Sequence, residues 1–303
     1  MATFLVMGAG GFIGQHLVNK FLIKNRSVIA IGHGVDELKN RDKLTTISGE
    51  INESLLDKID KPDYIYFLLG GSSVASSMNE PVIDFEKTFQ PLTIIIEKLK
   101  SEWSECRLIF ISSAAVYGRN ASQSTSTKTV CKPLSVYGLH KFLAEQYIEF
   151  HKINFNIKAK IIRPFSIYGP GLRKQLIWDA LCKIKNNQHE YFGSGLEERD
   201  WLHVSDFVDL LIDMAAHFEA YPNVINAGYG RGTKIKEITS LLYQINNSKL
   251  HPEFANKSKE GDPQHLVCDP NEQFFMTKFE CKSLKQNLLD VSLWFDELYF
   301  SSK

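Results

Sequence analysis

The sequence has no excess of charge of either sign. Its 303 residues carry 35 Lys and Arg and 35 Asp and Glu, so the formal net charge at pH 7 is zero. Proteins that bind nucleic acids or anionic membranes usually do so through a basic surface. The composition therefore gives no electrostatic reason to expect nucleic acid or a membrane surface as the main partner.

The sequence also lacks long apolar runs and metal-binding motifs. No stretch of about 18 apolar residues is present, so we expect no membrane span. A strand begins by Thr3, which leaves no room for a signal peptide. The five cysteines are scattered without a Cys-x-x-Cys motif, and the histidines have no metal-ligand spacing. We therefore expect reduced thiols, no bound metal and a cytoplasmic location.

What the sequence does contain is a glycine-rich turn between an apolar strand and a helical pattern. The apolar residues 4–7 stop at glycines, and residues 12–22 carry apolar side chains three to four positions apart. Gly8 allows a tight turn, Gly11 lets a diphosphate approach the backbone, and Gly14 lets the helix pack closely. The helix N-terminus favours phosphates. The Gly-x-x-Gly-x-x-Gly spacing differs from the usual dinucleotide fingerprint, so an ordinary strand–turn–helix is the alternative.

Strands alternate with helices through about residue 164. The predicted strands after the first are residues 27–31, 44–47, 63–69, 108–111 and 158–162, and the predicted helices include residues 84–100 and 135–151. This alternation predicts an α/β fold with a Rossmann-type doubly wound parallel sheet. Such sheets bind ligands at the carboxyl ends of their strands.

A candidate catalytic group lies in the helix at residues 135–151. Tyr137 and Lys141 are four positions apart and share one helix face. An ammonium group and a positive nicotinamide ring nearby would lower the pKa of the tyrosine, which is otherwise about 10. With Ser113 as a hydrogen-bond donor, these residues could move a proton between an alcohol and a carbonyl during hydride transfer. The alternative is a packed tyrosine beside a solvated lysine.

Several segments, in this order, resemble the extended short-chain dehydrogenase/reductase family, and within it the nucleotide-sugar epimerase, dehydratase and reductase branch. The segments are Gly8-x-x-Gly11-x-x-Gly14, Gly49-Glu50, Ser113, Tyr137-x-x-x-Lys141, residues 163–171, residues 199–206 and Gly261-Asp262. The resemblance implies an NAD(P)-binding domain at residues 1–164. Residues 165–303 would form mainly a smaller substrate-binding domain, with about residues 196–230 returning to the first domain. The substrate would be a nucleotide-diphosphate sugar.

The resemblance also assigns site residues. The catalytic residues would be Ser113, Tyr137 and Lys141. The cofactor-binding residues would be Gly8, Gly11, Phe12, Ile13, Gly14, His33, Glu50, Ile51, Leu69, Tyr137, Lys141, Pro164 and Phe165. The substrate-binding residues would be Ser72, Ser113, Ser166, Arg199 and Lys259. We expect Arg199 to bind the diphosphate because a planar guanidinium suits phosphate oxygens, with an ion pair to Asp200 or Asp206 as the alternative.

Departures from the family pattern bear on the cofactor and the substrate. NAD-binding proteins usually carry an acidic residue for the adenosine ribose where this chain reads Gly32-His33-Gly34. Without that carboxylate a 2′-phosphate meets no repulsion, so the sequence favours NADP over NAD. Ser166 replaces a frequent Asn and Lys259 a frequent Arg, which leaves the sugar and the nucleotide open.

A second departure narrows the reaction. Dehydratases and decarboxylating relatives carry a Glu just after the catalytic Ser or Thr, where this chain has Ala114 and Ala115. A methyl group cannot transfer a proton, which disfavours both reactions. The sequence thus favours reduction of a 4-keto sugar by NADPH. The alternatives are 4-epimerisation with retained NAD, which needs the same residues, and a non-catalytic NAD(P)-binding sensor.

The end of the chain is apolar and aromatic between Phe274 and Tyr299. It is interpreted either as a packed C-terminal helix or as the face of a homodimer, and the sequence leaves both open.

Overall fold

The computed structural model describes residues 2–38, 41–71, 73–119, 123–255, 264–272 and 281–301. The chain divides into two compact units. The first unit comprises Met1–Gly118, Val130–Pro164 and Leu211–Ile225, and the second comprises Arg119–Thr129, Phe165–Leu210 and Asn226–Lys303. Within the described residues, no helix is both long and apolar enough to cross a lipid bilayer.

The strands are short and the helices mostly longer. The strands are β1 (Thr3–Met7), β2 (Ser27–Ile31), β3 (Leu44–Ile47), β4 (Tyr64–Phe67), β5 (Arg107–Ile111), β6 (Lys158–Pro164), β7 (Ser166–Tyr168), β8 (Glu190–Tyr191), β9 (Glu198–His203), β10 (Val224–Ala227), β11 (Gly232–Lys234), β12 (Glu253–Phe254) and β13 (His265–Leu266). The helices are α1 (Phe12–Ile23), α2 (Glu53–Leu56), α3 (Val74–Asn79), α4 (Pro81–Lys100), α5 (Val136–Phe155), α6 (Gln175–Lys185), α7 (Val204–Ala216), α8 (Ile235–Ile245) and α9 (Leu284–Ser301).

A seven-stranded sheet organises the first unit. Its strand order is β10-β6-β5-β4-β1-β2-β3. The five pairings that join β3 through β6 are all parallel. The order reverses at β1, so β1 and β4 flank the switch point at which such sheets bind nucleotides. The predicted α/β fold with a doubly wound parallel sheet is confirmed.

The sheet strands are apolar along their whole length because helices cover them. Leu5, Val6 and Met7 in β1 are fully buried although they point alternately to both faces. On one face, α4 contributes Leu92 and Ile96 to a core shared with the sheet. Burial of each such side chain stabilises the fold by about 1.5–3 kcal/mol. This packing fixes α4 against the sheet, and α4 in turn contacts α5.

The second unit has its own sheet and core. Strand β9 pairs in parallel with β7 and β13 and antiparallel with β11. Helices α6, α8 and α9 pack around an apolar core, to which α9 contributes Leu288, Val291 and Phe295. In the described part of the end segment, the interpretation as a packed helix is therefore correct. Phe274, Phe275 and Phe279 lie outside the described residues.

Candidate functional site

The glycine turn after β1 has the close contacts that its sequence predicted. Gly8 has φ of 84°, which favours glycine, and its amide donates to the carbonyl of Ile31 at 2.8 Å. A Cβ atom on Gly14 would lie 2.3 Å from the Gly8 oxygen and 2.7 Å from Cα of Ala9. Any side chain at residue 14 would therefore push α1 away from the turn.

The start of α1 is suited to a phosphate group. Among the described residues, no side chain caps this helix at Gly11, and its first turn contains no acidic residue. The first amide groups and the positive end of the helix dipole are thus available to an anion. Phe12 and Ile13, in the first turn, are half-buried. The turn and helix together fit the diphosphate of a dinucleotide.

Gly10, to which the sequence assigned no role, proves to be a contact point. A Cβ atom on Gly10 would lie 1.9 Å from the carbonyl oxygen of His33. The close approach holds the turn after β2, including exposed His33, against the glycine turn after β1. The run Gly-Ala-Gly-Gly was the sequence feature from which a close contact at Gly10 could have been predicted.

The predicted adenine-side residues follow β3. Glu50 is exposed, whereas Ile51 is buried in the core of the first unit. Gly49 and Glu50 line a cavity of about 970 Å³ together with residues of α2 and with Lys58, which follows that helix. The contact of Glu50 with the adenine of a cofactor stays a prediction.

The side chains of Ser113 and Tyr137 lie within interaction distance, and Ser113 acts to lower the pKa of Tyr137. Ser113 is the second residue after β5, and its Oγ also accepts from the amide of Ala115 at 3.1 Å. Tyr137 is half-buried in the first turn of α5, and its own amide donates to Oγ of Ser77 at 2.9 Å. The two hydroxyls that the sequence predicted to act together are therefore adjacent.

Lys141 joins the carboxyl ends of two neighbouring strands. Its Nζ donates to the carbonyl of Leu69, after β4, and to that of Ile111, in β5, each at 3.0 Å. Burial lowers the pKa of Lys141 to about 8, although the charges of Asp84 and Glu145 act to raise it. The predicted site residue Leu69 thus contributes its backbone here.

The predicted effect of the lysine on the tyrosine is not found. Burial raises the pKa of Tyr137; the nearby hydroxyl of Ser113 lowers it, and the negative charge of Asp84 raises it further. Lys141 directs its ammonium group at backbone carbonyls instead. In this structure the expected depression of the tyrosine pKa is therefore wrong, because desolvation outweighs the favourable interactions.

Sequence reasoning missed two buried acids behind this group. Asp84 in α4 accepts from, or shares a proton with, Nδ1 of His140 at 2.6 Å. Glu145 in α5 binds the guanidinium of Arg163, whose Nε donates at 3.0 Å. Glu145 lies four positions after Lys141, so the sequence could have predicted that both lie on the same helix face. Nothing in the sequence indicated that Asp84 would face α5.

The structure places the remaining predicted residues as follows. Pro164, at the end of β6, and Phe165 are buried, and Ser166 is half-buried at the start of β7. Ser72 and Lys259 lie outside the described residues, as do Gly261 and Asp262.

Arg199 lies in β9 of the second unit. Arg199 is half-buried, and its Nη1 donates to the carbonyl of Glu198 at 2.9 Å. Asp200, suggested as its partner, accepts from the amides of Tyr229 and Gly230, each at 2.7 Å. The role of Arg199 on a diphosphate stays a prediction.

Comparisons with known proteins agree with this geometry. The family model described as the NAD dependent epimerase/dehydratase family matches residues 4–228. An uncharacterized UDP-glucose epimerase of Bacillus subtilis is 27% identical over 313 residues, covering 97% of this chain and 98% of the relative. A putative UDP-glucose 4-epimerase of Methanocaldococcus jannaschii is 28% identical over 276 residues, covering 88% and 89%.

The solved structures include a similar protein over the whole length. A UDP-glucose 4-epimerase of Thermotoga maritima, solved with UDP-glucose, has a TM-score of 0.87 and 26% identity to this chain. The likeness covers 98% of this chain and 99% of that one. The fold is therefore shared over nearly the whole length of both chains.

Proposed function

The chain belongs to the NAD dependent epimerase/dehydratase family, and from this premise we propose that it is a UDP-sugar 4-epimerase with retained NAD. The observation that carries the proposal is the interaction of the Ser113 and Tyr137 side chains, one helical turn from Lys141. The relatives named as UDP-glucose 4-epimerases support the reaction and the nucleotide. The relatives give no such support to the 4-keto-sugar reductase that the sequence favoured. The alternative named there, 4-epimerisation with retained NAD, therefore replaces it. The enzyme family likewise gives no support to a non-catalytic sensor.

The cofactor proposal also differs from the sequence-based preference. The family is described as NAD dependent, so the absence of a ribose carboxylate at Gly32-His33-Gly34 does not make NADP the better choice. Gly8, Gly11 and the start of α1 would hold the diphosphate. When bound, NAD would supply the acceptor and donor for the C4 hydride, and its positively charged ring would favour the phenolate of Tyr137.

The proton moves through Tyr137 in this proposal. Its Oη takes the proton of the C4 hydroxyl as the C4–H bond breaks, which leaves a ketone at C4. The same oxygen returns the proton when the alcohol forms again with the opposite configuration. Ser113 donates a hydrogen bond to the C4 oxygen in both half-reactions.

The two alanines after Ser113 support a reaction confined to C4. Ala114 is buried and Ala115 half-buried in the turn that follows β5. Neither can accept or donate a proton at C5 or C6 of a sugar. This geometry agrees with epimerisation and disagrees with dehydration.

The decisive experiment uses the purified full chain without added cofactor. We expect NMR spectra to show interconversion of UDP-glucose and UDP-galactose, or of their N-acetylamino or uronic acid counterparts, to the same mixture from either side. Chromatography of the denatured protein should release NAD and not NADP. Stoichiometric loss of NADPH with a 4-keto sugar, in place of interconversion, would establish the reductase and reject the epimerase.

We also propose that two copies of the chain form a homodimer through α5. Leu139, Leu143, Phe150 and Ile153 are exposed on this helix at spacings close to whole turns. A stripe of this kind can cover itself about a two-fold axis. Light scattering after size-exclusion chromatography should give twice the 34.5 kDa of one chain. A mass of one chain at micromolar concentration would contradict the dimer.

The cytoplasmic location stays a prediction from the sequence.

A further inference from the structure

A buried acid–imidazole pair lies directly beside Tyr137 and Lys141. Asp84 belongs to α4 and His140 to α5, and their Oδ2 and Nδ1 atoms are 2.6 Å apart. The two side chains are only 5% and 11% exposed. A carboxylate is costly to bury, and neither residue has a part in the proposed reaction. The pair therefore needs another physical role.

Two neighbouring glycines show how close the acid is to the lysine. A Cβ atom on Gly71 would lie 1.6 Å from Oδ1 of Asp84. A Cβ atom on Gly70 would lie 2.9 Å from Nζ of Lys141 and 2.9 Å from Oγ1 of Thr88. The carboxylate and the ammonium group thus contact adjacent residues of the same loop after β4.

The acid acts on this pair through its charge, since Lys141 hydrogen-bonds to backbone carbonyls. The negative charge of Asp84 raises the pKa of Lys141 against the larger effect of burial, and the charge of Glu145 acts in the same direction. The same charge raises the pKa of Tyr137, after the effects of burial and of Ser113. The charged and titratable groups facing the pair are therefore Asp84 with its partner His140, and Glu145.

We propose that Asp84, held in place by His140, is a positioning residue that sets the protonation state of the Tyr137–Lys141 pair. The proposal rests on the proposed function, in which Tyr137 carries the proton. A negative charge at this place keeps Lys141 an ammonium group despite its burial and keeps Tyr137 a phenol until substrate is present. The charge of Asp84 acts in the same direction on Lys141 and on Tyr137, so its removal moves both titrations to lower pH.

The first test is Asp84→Asn, which keeps the shape and an oxygen acceptor for His140. We expect the whole pH profile of kcat/KM to move to lower pH, on its acidic and its basic side alike. Glu86→Gln is the matched control, since Glu86 is an exposed carboxylate of the same helix. A purely structural role would lower the rate at every pH and leave the profile in place, and that result would overturn the proposal.

A second measurement needs no turnover. In protein labelled with ¹³C at the tyrosine ζ carbon, the Tyr137 signal is identified by its loss in Tyr137→Phe. We expect Asp84→Asn to shift the titration of this signal to lower pH. A shift in a protein that turns over no UDP-sugar would reject the proposed function alone. Sugar turnover with an unshifted signal would reject the role of Asp84 alone.

Two variants of His140 serve if Asp84→Asn does not fold. His140→Leu removes the donor that holds the carboxylate, and a buried carboxylate without a donor favours its protonated form. We therefore expect the same displacement to lower pH as in Asp84→Asn. His140→Asn keeps an N–H donor near the place of Nδ1 and should retain the wild-type profile. Identical profiles in these two variants would overturn the proposal.

Discussion

Tyr137→Phe is expected to lower kcat for sugar interconversion by about 100-fold or more. The change removes one oxygen atom and keeps the ring that fills the first turn of α5. We expect the UDP-sugar to bind with little change in KM, because the phenol acts on the C4 proton and not on the diphosphate. The measurement is a steady-state progress curve by NMR, paired with a thermal unfolding curve that shows an intact fold.

Tyr147→Phe provides the matched control. Tyr147 lies on the same helix and is half-buried, and its ring packs against those of Phe89 and His151. It carries the same phenol as Tyr137, but its pKa is set by burial, Glu97 and Lys100 and not by Ser113, so loss of its hydroxyl should leave kcat unchanged. Equal rates for Tyr137→Phe and wild type would remove Tyr137 from the mechanism. Equal losses in both variants would show a structural effect.

The parts of the site that could be predicted from the sequence are those formed by local contacts. The turn through Gly8 and Gly14 joins consecutive elements, so its residues and their spacing already contain the geometry. Tyr137 and Lys141 share a helix, and four positions set their relation. The parallel sheet followed in the same way from alternating strands and helices, which leave few topologies open.

The parts that could not be predicted depend on contacts between distant segments. Asp84 and His140 are 56 positions apart and meet only because α4 and α5 pack together. The pKa of Tyr137 depends on how far the fold buries it, which no spacing reveals. The strands of the second unit, such as β11 and β13, are two or three residues long and carry no periodicity to read.

The largest effect on stability is expected from Glu145→Ala. Its carboxylate accepts from Nε and Nη2 of Arg163 and from Oγ of Ser112, and Glu145 and Arg163 are almost fully buried. Burial lowers the pKa of Arg163, but the bonds and charge of Glu145 raise it overall, so the guanidinium stays charged. Without Glu145 a buried cation loses its counter-ion, and we expect the free energy of unfolding to fall by about 3–5 kcal/mol.

The loss should come from the unpaired charge and not from the missing attraction alone. Arg163 also donates from Nη1 to the hydroxyl of Tyr117 at 2.8 Å, a neutral partner that cannot balance its charge. Replacing both partners, as in Glu145→Leu with Arg163→Met, removes two desolvated charges together. We therefore expect the double variant to be more stable than Glu145→Ala in urea unfolding, although it lacks the same ion pair.

An exposed ion pair on the same strand supplies the control. Lys158, at the start of β6, binds Glu105 at 2.6 Å, and the two side chains are 33% and 74% exposed. Water stabilises the lysine once its partner is gone, so Glu105→Ala should have a far smaller effect on unfolding than Glu145→Ala. Similar losses in the two variants would show that Arg163 finds another counter-charge or reaches water. In that case Glu145 and Arg163 would not form a solvent-excluded ion pair that holds α5 against β6.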